Sequence, residues 1–420
     1  MTSNVKHRTR RTFLKTTSSA IGLASIGWPA LSFAQNNPIR VAMPTILSGR
    51  VAQLGTSSRN AVMLEVDKFN EAGGLNGRPI EMVIRDSRGQ PQEAARVTRE
   101  LINSDDCELL LDCEASSGAF AVHEVARDLG IFCLHSISET SSLTADPKLR
   151  SPNTFRTARQ GIHDSIVGGA YAAKVAKEQG ITQWMGCSPD YAYGRDTTAE
   201  FFEYLQHFNP DIELLGDVWP KLFQSDYSEV ITQILRKKPQ AVYSCLWGGD
   251  LTSFIDQGNI YGLFADRSFF AVNMADYTAL TVVKNLPESL HSGNRYIAAF
   301  PATEKNRDWA DAYFEKHNEL PTNWSWQAAT GVQFLVAAME KANSTDGEKL
   351  AEVMHDLTIE SPFGADGTIT MRGEDQTMVN YAVGWGEVIA DDPYLPDPQA
   401  GSWEQIFELE KEWKERNGYL

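Results

Sequence analysis

The chain has 420 residues, with 55 Asp and Glu against 38 Lys and Arg and a formal net charge of −17. That length supports two domains with well-buried cores. The acidity excludes nucleic acid and anionic lipid as partners, because both require a basic face.

The N-terminus has the three parts of an export leader. A basic segment ends in Thr9-Arg10-Arg11-Thr12-Phe13-Leu14-Lys15, and an uncharged, mildly apolar run follows from Ala20 to Ala34. The run closes on Ser32-Phe33-Ala34, with small residues at the two positions a signal peptidase reads. Paired arginines followed by Phe-Leu-Lys give the twin-arginine form of this signal. The apolar run is shorter than the roughly 20 residues a membrane span needs. Residues 1–34 are therefore expected to be a signal peptide cleaved after Ala34, which places the mature chain in the periplasm. The leader carries Lys6, Arg8, Arg10, Arg11 and Lys15 and no acid, so removing those five cations from −17 leaves −22 on residues 35–420. No later segment reads as a membrane span, so direct membrane insertion of the mature chain is not expected.

From residue 39 onward, apolar runs alternate with amphipathic helical patterns. Strands are expected at Ile39–Met43, Ile80–Arg85, Leu109–Cys113, Ile131–His135, Gln183–Cys187, Ala241–Leu246, Ser268–Val272 and Asn294–Ala299. Between them lie helical stretches at Ser58–Ala72, Pro91–Asn103, Ala119–Leu129, Ile162–Gln179, Thr197–Phe208, Ser225–Lys237 and Gly249–Tyr261. Further helices follow at Asn306–His317 and Ala328–Ala342, and Glu404–Arg416 reads as a terminal helix. Strands spaced by helices of this length predict an α/β fold with parallel-type central sheets in doubly wound lobes. A break near Ser151-Pro152-Asn153-Thr154-Phe155-Arg156 separates two such units without a Gly/Ser linker, so the lobes are expected to be tightly hinged. Open sheets of this kind bind ligands beyond the carboxyl ends of their strands.

Cys107, Cys113, Cys133, Cys187 and Cys245 have no metal-ligand spacing. Four of them end apolar runs and read as buried thiols. An oxidising periplasm leaves a Cys107–Cys113 disulfide open.

The catalytic alternatives fail one by one. Gly73-Gly74-Leu75-Asn76-Gly77 follows a helix and precedes a strand, the reverse of the order a phosphate cradle needs. It reads instead as a helix stop and turn. No G-x-x-x-x-G-K-[ST], G-x-S-x-G or H-E-x-x-H occurs, and the eight histidines are scattered. The expectation is a protein that is not an enzyme and has neither cofactor nor metal.

Several stretches resemble one family closely. They are Arg40-Val41-Ala42-Met43-Pro44, Leu47-Ser48-Gly49-Arg50-Val51-Ala52-Gln53-Leu54-Gly55, and the helix end Phe69-Asn70-Glu71-Ala72-Gly73-Gly74-Leu75-Asn76-Gly77-Arg78-Pro79-Ile80. Asp86, the Ser116-Ser117-Gly118 turn, Tyr193-Gly194-Arg195-Asp196 and the run Ala241–Leu246 continue the likeness. Together they resemble type I periplasmic solute-binding proteins of ABC transporters, in the leucine/isoleucine/valine- and amide/urea-binding branch. The resemblance covers nearly all of the mature chain. It implies two lobes joined by three hinge crossings, expected near Thr154–Thr157, Ile297–Ala302 and Phe363–Thr368. Lobe 1 would be residues 35–155 with 300–363, and lobe 2 residues 156–299 with 364–420. Closure around a small ligand would present the protein to an ABC-type membrane permease.

The resemblance also points to binding residues. Ala115, Ser116 and Ser117 open a helix after the third strand, where backbone N–H groups and hydroxyls suit a carboxylate; taken alone they read as an ordinary helix cap. Ser138 and Thr140 match further polar contacts, with turn chemistry as the plainer reading. Tyr191, Tyr193 and Trp247 follow strands of the second lobe, where aromatic faces close over small ligands with few torsions to freeze. For Trp247 the plainer reading is core packing, but its flank Gly248-Gly249 favours an exposed cleft edge instead.

The departures concern the ligand. Amino-acid binders of the family place an acidic residue after the strand matching Ser268–Val272, whereas here Asn273-Met274 stand, with Asn273 expected to contact the ligand and Asp276 further on. Leu54 replaces a family tyrosine, and Ser87-Arg88 stand where a disulfide partner is found. A buried ammonium without a carboxylate partner is costly, so Glu114, Glu139 or Asp276 must supply one if the ligand is an amino acid. Otherwise an amide, urea-like compound, or aromatic or keto acid is expected. Trp247, Trp324 and Trp326 favour a planar ligand. The alternatives to an importer's binding component are a ligand-sensing regulatory subunit of the same fold and, further off, an exported α/β enzyme.

Overall fold

The computed structural model describes residues 37–420; the expected leader and its cleavage point lie outside the described residues. The chain begins with β1 (Ile39–Thr45), α1 (Ala52–Glu71), β2 (Ile80–Asp86), α2 (Pro91–Asn103), β3 (Leu109–Asp112), α3 (Ser116–Leu129), β4 (Cys133–His135), α4 (Ser142–Ala145) and β5 (Thr154–Arg156). A second alternation runs through α5 (Gly161–Gln179), β6 (Gln183–Cys187), α6 (Ala192–Phe208), β7 (Glu213–Val218), α7 (Ser228–Lys237), β8 (Ala241–Ser244) and α8 (Gly248–Ile260). It is completed by β9 (Ser268–Ala271), β10 (Ala275–Asp276), α9 (Tyr277–Leu280) and β11 (Leu290–Tyr296). The remainder comprises α10 (Glu304–His317), α11 (Asn323–Ala342), α12 (Gly347–Met354), β12 (Thr358–Glu360), β13 (Thr368–Arg372), β14 (Thr377–Val379), β15 (Gly384–Glu387), β16 (Gln399–Ala400) and α13 (Trp403–Asn417).

Two sheets result, ordered β12-β13-β14-β5-β4-β3-β1-β2 and β16-β15-β11-β9-β8-β6-β7. In the first, β1 to β5 are mutually parallel, as are β6 to β9 and β11 in the second. Antiparallel strands are added only at one edge of each sheet. The apolar runs of the sequence become the central strands, whose residues are buried on both faces: Leu109–Asp112, Ala241–Ser244 and Ser268–Ala271 are wholly buried. β7 is largely exposed, which is why it carries no apolar run and was not anticipated.

The chain passes between the sheets after Arg156, after Tyr296 and after Val379. The last passage corrects the expected crossing at Phe363–Thr368. β13 and β14 remain in the first sheet, where β14 pairs with β5 through Thr377 and Arg156, and the chain reaches the second sheet only at β15. A lobe boundary at residue 364 therefore cuts a hairpin of the first sheet. Short, half-polar edge strands leave too little periodicity for sequence alone to locate them.

Two helices start earlier than their apolar periodicity suggests. The Thr322 side chain accepts from Ser325 N and the Ser325 hydroxyl accepts from Thr322 N, a reciprocal box that begins α11 five residues before Ala328. α3 begins at Ser116 rather than Ala119, with no side-chain cap. At the turn after α1, a side chain on Gly74 would sit 2.2 Å from the Arg78 carbonyl oxygen, so only glycine fits.

All five cysteines are free and buried. Cys107 and Cys113 flank the four-residue β3 at opposite ends. At about 3.3 Å per residue they are far outside the 4.4–6.8 Å range of disulfide Cα separations.

Candidate functional site

The carboxyl ends of β3, β4, β6, β8 and β9 converge on one crevice between the sheets, where a doubly wound architecture places its ligands. Its inner cavity encloses about 480 Å³, counting the mouth. Ala115 and Ser116 line it at the start of α3, Tyr191 and Tyr193 at the start of α6, Trp247 and Gly248 at the start of α8, and Asn273 after β9. Leu54, Ile137 and Trp324 complete the apolar wall.

The aromatic side is held by its own hydrogen bonds. Trp247 Nε1 donates to the Tyr191 hydroxyl at 2.9 Å. Asn273 Nδ2 donates to the carbonyls of Cys245 and Leu246 at 3.0 and 3.1 Å and reaches the Tyr193 hydroxyl at 3.2 Å. Burial pushes the phenols of Tyr191 and Tyr193 well above their ordinary range, so both stay protonated donors at neutral pH. From the first sheet's side, Trp324 meets Trp247 edge to face with ring centroids 5.9 Å apart.

The charged side is an alternating chain. Arg295, on β11, donates to Glu139 Oε2, in the loop after β4, and to Asp164 Oδ2 at 3.1 Å; Arg159 donates to both oxygens of Asp164. Glu139 Oε1 accepts from Asn323 Nδ2 at 2.8 Å and Gln327 Nε2 at 3.0 Å. Burial pulls the Arg295 pKa down, but the carboxylates of Glu139 and Asp164 outweigh it and leave it raised. Asp276 meets that chain through Asn323. Its Oδ1 accepts from Thr278 N at 2.9 Å and Thr278 Oγ1 at 2.5 Å, and its Oδ2 accepts from Asn323 N at 2.6 Å. Burial raises its pKa, and those donors hold the rise in check.

Six of the nine residues expected at the site line this cavity: Ala115, Ser116, Tyr191, Tyr193, Trp247 and Asn273. Ser138 lies behind the wall and donates to Ser116 Oγ at 3.1 Å. Ser117 is the second residue of α3 and does not line the cavity. Thr140 is fully buried elsewhere, its carbonyl accepting from Arg156 Nη2 at 2.7 Å. The turn at Thr140 is thus spent on the Arg156 guanidinium instead of the crevice. Of the three candidate ammonium partners, Glu139 and Asp276 line the cavity while Glu114 is buried outside it.

Sequence reasoning missed Arg295, Asn323, Ile137 and Thr278. Arg295 left one signal, a charged residue inside an otherwise strand-like run. The others left none; Asn323 belongs to α11, which returns to the crevice from more than a hundred residues beyond Tyr193.

Comparison with known proteins accords with this geometry. A family model described as periplasmic binding protein matches residues 38–383. The leucine-, isoleucine-, valine-, threonine- and alanine-binding protein of Pseudomonas aeruginosa is 24% identical over 354 residues, covering 81% of this chain and 88% of that protein. A solute-binding protein of an ABC transporter from Rhodopseudomonas palustris, crystallised with 3,4-dihydroxybenzoic acid, superposes with a TM-score of 0.77 at 22% identity, covering 87% and 97% of the two chains. A branched-chain amino-acid substrate-binding protein from Streptococcus pneumoniae, in complex with isoleucine, gives 0.73 at 18% identity, covering 87% and 99%. These are binding proteins, and this chain is of their kind rather than an enzyme. With its α/β sheets of the type I fold and its match over residues 38–383, the chain belongs to the periplasmic binding protein family and is similar to its leucine/isoleucine/valine-binding members.

Proposed function

We propose that this protein, exported to the periplasm by its twin-arginine leader, captures a small planar carboxylate, an aromatic or related keto acid, by closure of its two lobes. It then delivers that ligand to an ABC-type permease. The observation that carries this reading is the state of the cavity's carboxylates. Glu139 is already neutralised by Arg295. Asp276 already accepts three hydrogen bonds, so an ammonium would have to compete with the Thr278 and Asn323 donors for it. An α-amino acid would have to displace one of these arrangements; a ring-bearing carboxylate would not.

The rest of the crevice supports the same reading. The start of α3 offers N–H groups and the Ser116 hydroxyl to a carboxylate. Tyr191, Tyr193, Trp247 and Trp324 offer ring faces and edges to a flat body. Relatives of the same fold occur in complex with benzoate and with isoleucine, so the architecture accommodates both ligand kinds.

Titration calorimetry with benzoate, 4-hydroxybenzoate, phenylpyruvate, leucine and urea tests the proposal. An aromatic or keto acid is expected to bind at least about tenfold more tightly than leucine, a difference of about 1.4 kcal/mol. Tighter binding of leucine or urea than of every acid overturns the ligand class. Absence of any thermal stabilisation by all five, at concentrations where a specific binder must shift the melting point, overturns the site.

A further inference from the structure

A second, larger cavity adjoins the inner one. It encloses about 990 Å³, counting its mouth, and Gly248, Thr278 and Trp324 line both. Its wall is largely apolar, with Val51, Tyr277, Val282 and Leu320, and carries polar groups from both sides of the crevice: Arg50, Gln53 and Glu319 from the first-sheet side, Thr252 and Thr281 from the second. Among the described residues, Trp324 is the only large side chain shared by the two spaces. Its indole is 8% exposed and meets the edge of Trp247, itself 7% exposed, from the opposite side. Trp324 lies within the Thr322–Ser325 capping box, so its backbone is fixed. Trp247 is fixed by its bond to Tyr191 and by an edge contact with Phe223, centroids 5.8 Å apart. A Cβ built at Gly248 would lie 3.8 Å from the tip of the Trp324 ring, in ordinary van der Waals contact, so the indole borders the passage at Gly248.

We propose that Trp324 is a specificity-determining partition: it confines ligands to the length of one ring, and behind it the outer cavity is a latent subsite for the polar far end of a two-ring acid. The inference rests on the inner cavity being the ligand site. A carboxylate seated at Ser116 directs its body past Trp247, and any second ring meets the Trp324 indole before it can reach the threonine hydroxyls beyond. Removing the indole joins the two spaces and brings the outer wall, apolar for a second ring and with threonine hydroxyls for its polar end, within reach.

The test compares wild type, Trp324→Ala and Trp324→Phe for binding of benzoate and of 4′-hydroxybiphenyl-4-carboxylate by calorimetry. Melting curves establish that each variant is folded. Wild type is expected to favour benzoate by at least about tenfold, about 1.4 kcal/mol. Trp324→Ala should reverse that preference, with Trp324→Phe between the two and serving alone if the alanine variant does not fold. Equal binding of both acids by wild type, or an equal change for both acids in the variants, overturns the partition. Should wild type bind leucine and neither acid, the proposed ligand class fails, and the partition is judged on leucine against 4-phenylphenylalanine with the same expected reversal. Binding of none of these four compounds by wild type overturns both.

Discussion

Arg295 of the second sheet and Glu139 of the first form a buried ion pair across the crevice, with side chains 3% and 7% exposed. Both groups have further partners, Asp164 for the guanidinium and Asn323 with Gln327 for the carboxylate. The pair therefore joins the two halves of the molecule and occupies the place where a ligand cation would compete for Glu139.

Removing one member strands the other. Arg295→Met leaves Glu139 and part of Asp164 buried without a counter-charge, and is expected to cost about 3–5 kcal/mol of folding stability. Arg295→Lys keeps the charge but not the fork that spans two carboxylates, so it should recover only part of the loss. Urea unfolding of the three proteins decides the matter; a loss below about 1 kcal/mol for the methionine variant would show that the pair is not a structural tie.

Asp276 links α9 to the start of α11. In Asp276→Asn one acceptor becomes a donor facing the Asn323 N–H, so a buried hydrogen bond is lost and replaced by an opposed pair of donors. A penalty of about 1–3 kcal/mol is expected, felt in the closed arrangement that brings these elements together. Small-angle scattering with saturating ligand should show a more open average shape than wild type. An unchanged profile together with unchanged ligand affinity counts against the link.

The aromatic wall is testable by truncation. Trp247→Ala and Tyr193→Ala should each weaken ligand binding by at least about 1 kcal/mol, the scale of a buried aromatic contact. Tyr191→Phe, which deletes only the acceptor for Trp247 Nε1, should cost less than either. Unchanged affinity in both alanine variants would place the ligand elsewhere.

A pH dependence follows from Glu200 on α6. Burial raises its pKa to about 8, assisted by Asp196 and Glu203 and opposed by a hydrogen bond with Ser141 and by Arg156. An unfolded chain releases the same proton near about 4.3. Between those values the folded state binds more protons, so its contribution to stability is full at low pH and is lost as pH rises towards 8. The slope approaches about 1.4 kcal/mol per pH unit inside that window and vanishes outside it. Comparison of wild type with Glu200→Gln across pH 5 to 9 isolates this group, and parallel stability profiles would show that Glu200 is already ionised in the fold.

Much of this molecule is written in local patterns. The central strands of both sheets, most long helices and the glycine turn after α1 follow from apolar runs, amphipathic spacing and chain reversal, which act over a few residues. The strand ends likewise marked Ala115, Ser116, Tyr191, Tyr193 and Trp247, since a parallel sheet brings those ends to one rim. Tertiary structure alone decided the rest. β13 and β14 joined the first sheet because β5 offered an edge, a pairing between Thr377 and Arg156 that no local pattern announces. Thr140 turned to Arg156, and Arg295 and Asn323 arrived at the cavity, because buried charges must find partners wherever in the sequence those lie. The bulk charge of −17 spoke of partners to exclude; which carboxylate in the crevice is already answered was settled by contacts 156 and 184 residues apart.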